Sequence, residues 1–136
     1  MKYTILTALT VLSLTIHGQL IQKGPHGGDL FRTEKYNIEK VNTTQKMYVY
    51  LYDIYMMQLS NANIEAKAEY FYSDNLSCEV KLKACEDNSF CADPGGFYSY
   101  CVIYFNLGRE VVWAKFYNYS FMAENVNRDG KTVAKR

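Results

Sequence analysis

The stretch KYNIEKVNTTQKMYVYLYD, residues 35–53, decides the fold class. Lys35–Val41 and Lys46–Asp53 each alternate with a period of two, and the polar NTTQ between them reads as a turn, so the pair predicts an antiparallel hairpin. Met47, Val49 and Leu51 fall on one face of the second strand. Tyr48, Tyr50 and Tyr52 fall on the other.

The same alternation continues downstream. In IEAKAEYFY (64–72), Ile64, Ala66, Ala68 and Tyr70 share one side, while Glu65, Lys67 and Glu69 share the other, the mark of a strand with one wet face. LSCEVKLKA (76–84) repeats the pattern, with Leu76, Cys78, Val80, Leu82 and Ala84 inward. FYSYCVIYFNL (97–107) is apolar on both faces and reads as a central strand, and VVWAKFYNYSF (111–121) follows a short turn. The Asp129-Gly130 pair suits a last small hairpin or a frayed tail from about residue 124. With 13 Tyr and 7 Phe against 2 Pro, the composition favours half-buried pleated surfaces. These segments predict an all-β domain, a small β-sandwich or open barrel of about six or seven antiparallel strands.

Residues 1–18, MKYTILTALTVLSLTIHG, carry one lysine and then an apolar, threonine-rich run. This is the pattern of a cleavable signal peptide, too short and too polar for the roughly 20 apolar residues of a membrane span. The reading implies export, to a periplasm or the extracellular space, and a single domain over 19–136 with no transmembrane segment after cleavage. His17 would leave with the signal. The 15 Lys+Arg and 14 Asp+Glu nearly balance, which gives no attraction for nucleic acid. Asn42, Asn75 and Asn118 begin N-x-[ST] sequons, meaningful only in a eukaryotic secretory pathway.

Four cysteines, Cys78, Cys85, Cys91 and Cys101, lie close together. In an oxidising compartment an even set reads as two disulfides, and three pairings are open. Were 76–84 and 97–107 to pair as a hairpin, Cys78 with Cys101 and Cys85 with Cys91 would ask least of the backbone. A thiolate zinc site is the rival, though the spacings lack the close C-x-x-C pairs such sites use.

PHGG at 25–28, YNIE at 36–39 and MYVYLYD at 47–53 follow an H-G-G, Y-x-x-E, V-Y-L-x-D order. This resembles small exported bacterial β domains and segments of envelope proteins near heavy-metal efflux systems, including the periplasmic adaptor subunits of those pumps. The resemblance implies metal handling, with His26 at the matching position and copper or zinc as the ion. Imidazole suits both. Asp29 adds a candidate oxygen ligand, and Met56 and Met57 add thioethers for copper(I). The partner would be a metal ion or an envelope protein. The bland alternatives are a fixed bend at Gly24–Gly28 with an exposed or backbone-bonded His26, and methionines that fill core gaps.

The tyrosine stripe Tyr48, Tyr50 and Tyr52 is a second candidate surface, for adhesion or carbohydrate binding. No nucleophile elbow, H-E-x-x-H, P-loop or G-x-G-x-x-G is present, and one mature histidine gives little material for a catalytic triad. The expected function is therefore binding, not catalysis.

Overall fold

A computed structural model describes residues 21–119. The segment 1–18 read as a signal peptide and the tail from about 124, where the Asp129-Gly130 pair was read as a turn, lie outside the described residues. Nine antiparallel strands form one curled sheet: β1 (Gln22–Lys23), β2 (Asp29–Arg32), β3 (Tyr36–Asn42), β4 (Met47–Asp53), β5 (Glu65–Phe71), β6 (Ser77–Ala84), β7 (Phe90–Ala92), β8 (Tyr100–Asn106) and β9 (Val111–Tyr117). Their spatial order is β1-β2-β3-β4-β7-β6-β5-β8-β9. The all-β expectation is met in its open-barrel form. The added strands β1, β2 and β7 are too short to register as alternating runs.

The first four strands are a simple meander in which Ile38 lies opposite Leu51 and Glu39 opposite Tyr50. Beyond β4 the three-residue β7 joins the two halves of the sheet, pairing with β4 through Phe90–Ala92 and with β6 through Phe90 and Cys91. No backbone pairing links β2 to β9 among the described residues. Side chains close that seam instead. The Phe31 and Phe116 rings meet edge-on at 6.1 Å, and the Tyr36 hydroxyl donates to Glu110 at 2.9 Å.

The concave side holds the core predicted by alternation in 47–51 and 66–70, but 76–84 departs from it: of the residues expected inward only Leu82 is buried, while Leu76, Cys78 and Ala84 are exposed. Ile38, Val49, Leu51, Ala68, Ile103, Phe105 and Ala114 are fully excluded from water. Each large apolar side chain among them contributes roughly 1.5–3 kcal/mol by burial. Strand β3 departs from the wet-face pattern, because Asn37, Ile38, Glu39 and Lys40 are all buried. Its even-numbered residues face the barrel, and its odd ones are covered from outside.

Lys40 is the charged member of the interior. Its Nζ donates to the Tyr98 hydroxyl at 3.3 Å and lies 5.6 Å from the centre of the Phe116 ring. Burial holds its pKa below the ordinary lysine value.

The cysteine pairing needs one correction. Cys85 and Cys91 form a disulfide around the 3-10 turn Glu86–Asn88, but Cys78 and Cys101 are free thiols. The hairpin that would have joined them does not form, because β5 lies between β6 and β8. Tyr70 is register partner to both cysteines. Two strand spacings, about 9.6 Å, separate them, beyond the roughly 7 Å that a disulfide spans. Cys78 is exposed, whereas Cys101 is buried and its thiol pKa is pushed up to about 11 by that burial. Alkylation of the native protein is therefore expected to mark Cys78 alone, with Cys101 reacting on unfolding and Cys85 and Cys91 only after reduction. Mass mapping of the labelled peptides checks this; native labelling at Cys101 would contradict the packing.

Among the described residues no helix is long and apolar enough to cross a membrane.

Candidate functional site

Between β1 and β2 the chain makes a tight turn over the outer face of β3 and β4. Gly27 N–H donates to the Gly24 carbonyl, and Gly24 N–H to the Gly28 carbonyl, each at 2.9 Å. Gly27 has φ +76°, a left-handed value that glycine adopts without steric cost. Gly24 and Gly28 serve close approach: a Cβ on Gly24 would overlap the Glu39 carboxylate, and one on Gly28 would overlap the Lys40 carbonyl. These glycines let the turn lie flat on the sheet with His26 at its tip.

Beneath it sits Glu39, with no exposed surface. Its Oε1 accepts from the backbone N–H groups of His26 and Gly28, both at 2.9 Å. Its Oε2 accepts from the Tyr52 hydroxyl at 2.7 Å and lies 3.0 Å from His26 Nδ1. Nδ1 is also 2.9 Å from the Tyr52 oxygen. The His26 ring lies flat on Tyr50, with centroids 3.8 Å apart and planes 7° apart.

The proton positions follow from this geometry. Burial alone would raise the Glu39 pKa, yet the hydrogen bonds from Tyr52, His26 and Gly28 outweigh it and hold the carboxyl below its usual range. An ionised Glu39 is an acceptor only. Tyr52 gives its proton to Oε2, and its own pKa is raised by burial and by that bond. His26 Nδ1 must then be the donor toward Oε2 and the Tyr52 oxygen. In the neutral ring the lone pair falls on Nε2, which has no partner among the described residues. The His26 side chain is 38% exposed.

A histidine whose Nδ1–H is held by a buried carboxylate is the outer-sphere arrangement found behind metal-bound imidazoles, since it fixes the tautomer and raises ligand basicity. The other predicted donors do not join it. Asp29 is ion-paired with Lys23 at 2.7 Å across the base of the turn. Met56 and Met57 lie in the turn after β4, where the Asp53 carboxylate accepts from Met57 N–H at 2.9 Å, and Met57 is 65% exposed. Among the described residues no three His, Cys, Asp or Glu side chains are gathered to hold an ion. The residues thus fit one metal donor with its outer-sphere support, not a complete site.

Two residues of the tyrosine stripe join the same cluster, while half-buried Tyr48 lies apart from it, opposite Cys91 of β7. Tyr52 is 2% exposed, and Tyr50 is covered by the His26 ring. Glu39 is the member that residue-by-residue reading passed over, and Tyr52 was read as part of a binding face, not as a partner of His26. Glu39 closes the Y-x-x-E segment and Tyr50 is the tyrosine of V-Y-L-x-D, and these two meet His26 of H-G-G, whereas Tyr52 stands at the unspecified position of its motif.

No protein-family model, no curated protein and no solved structure matches the chain.

Proposed function

We propose that this protein is an exported, non-catalytic binding module that offers Nε2 of His26 as one donor to a zinc or copper ion shared with a second molecule. The observation that carries the reading is the Glu39–His26 pair, which locks Nδ1 and leaves the lone pair on Nε2. Support for export comes from the signal-like residues 1–18 and from the Cys85–Cys91 disulfide, a bond that persists in oxidising compartments. A lone imidazole cannot fill a tetrahedral shell, so the remaining donors belong to a partner, an envelope protein or a second copy. The same dyad geometry serves general-base catalysis, but no hydroxyl or thiol is bonded to Nε2 among the described residues. A carbohydrate-binding tyrosine face has less support, because Tyr50 and Tyr52 are committed to the cluster.

Titration of the protein with zinc chloride or copper sulfate, followed by calorimetry and sedimentation, tests the proposal. The expected result is metal-dependent pairing of two chains per ion, reversed by a chelator and abolished in His26→Ala. Glu39→Gln is expected to weaken it by about tenfold or more through loss of outer-sphere support. Binding that is unchanged in His26→Ala would refute the proposal, as would no heat with either ion.

A further inference from the structure

Among the described residues, part of strand β6 presents a backbone edge without a partner. Ser77–Leu82 pairs with β5 on one side, but on the other side β7 meets only Lys83 and Ala84. Among the described residues, no backbone hydrogen bond outside these ladders reaches Cys78–Leu82. Beside this edge lies a cleft of about 360 Å³, lined by Tyr70, Tyr72 and Val80 together with Lys46, Lys81 and Lys83. None of the three lysines has an ion-pair partner among the described residues. Asp93 is the one carboxylate in the lining.

We infer that this notch receives an extended acidic peptide from a partner protein, added as a further strand along β6. An unpaired edge is a template for strand addition, in which main-chain hydrogen bonds supply affinity and alternate side chains supply specificity. Here the alternate contacts are a lysine rim and an apolar floor, which suit a segment alternating carboxylates with small apolar residues. A second copy paired antiparallel about Val80 would match Glu79 with Lys81 but leave Lys46 and Lys83 without carboxylates, so it answers the rim less fully than an acidic segment. A dimer of the free chain in sedimentation would overturn the inference. A small anion would answer the lysines and leave the backbone edge unmet.

The probe is a fluorescein-labelled hexapeptide of alternating glutamate and valine, compared with its lysine–valine counterpart. Anisotropy is expected to show saturable binding of the acidic peptide alone, and amide exchange is expected to slow across Cys78–Leu82. The double variant Lys81→Glu/Lys83→Glu, altered only at exposed positions, keeps its circular dichroism spectrum and loses about tenfold in affinity, the sum expected of two rim charge pairs. The inference is overturned by equal binding of both peptides, by no binding at millimolar peptide, by an undiminished affinity in the double variant, by slowed exchange elsewhere, or by displacement with inorganic phosphate.

Discussion

Glu39→Ala is expected to lower the free energy of unfolding by about 3–5 kcal/mol, the cost of stripping its partner from a buried, hydrogen-bonded charge cluster. Two backbone N–H groups, the Tyr52 hydroxyl and the His26 ring lose their shared acceptor at once. Glu39→Gln keeps the shape and one carbonyl oxygen, but turns an NH₂ toward Tyr52 and His26, and should cost about 1–3 kcal/mol. By contrast, Glu79→Ala breaks an ion pair with Lys67 whose members are 57% and 47% exposed, and should change stability by less than about 1 kcal/mol. Urea unfolding of the three variants separates these cases. The pH dependence carries the same signature. Because the folded Glu39 pKa is below its ordinary value near 4.5, its contribution is complete above that value and is lost as pH falls through the folded pKa. Glu39→Gln should lack this acid-side loss. A Glu39→Ala protein as stable as the parent would show that the cluster is not formed in solution.

Gly28→Ala is the second large effect, an expected loss of about 3 kcal/mol. Overpacking against side chains costs about 1–3 kcal/mol, and here the collision is with the Lys40 carbonyl, which cannot rotate away without bending β3. Gly27→Ala makes the useful comparison. A Cβ at that position meets open space, so only the left-handed φ opposes it, at about 1 kcal/mol. Thermal unfolding of the two variants is expected to rank them in this order, and metal-dependent pairing should fail in Gly28→Ala because the turn no longer lies on Glu39. The reverse ranking would mean that the turn sits away from the sheet.

Period-two alternation in 47–53 and 65–71 placed the strands and their inward faces, because half-burial acts locally, residue by residue, whereas 111–117 was placed only as a strand. Strand order was not legible. Whether β5 or β6 lies beside β8 depends on non-local pairing, and Cys78 and Cys101 share an inward parity in either arrangement. Short β7 was hidden in CEDNSFCADPGG (85–96), whose acidic, proline and glycine residues read as a loop, because three residues carry too little period. Glu39 reads as one more solvated charge on a strand's outer face. Only the arrival of the Gly24–Gly28 turn, folded back from eleven or more residues upstream, converts it into a buried acceptor. His26 was legible as a candidate because it stands alone among glycines, yet its orientation belongs to residues remote in the chain.

The two faces of β3 and β4 serve different ends, and this makes the pair intolerant of misalignment. Sliding β3 by one residue against its neighbour would exchange Ile38 for Glu39, driving a carboxylate into the oily interior and leaving the glycine turn with nothing to grip. The buried acid therefore guards the threading of the strand. While the alignment holds, the interior can drift among apolar residues of similar volume without disturbing the imidazole on the opposite side.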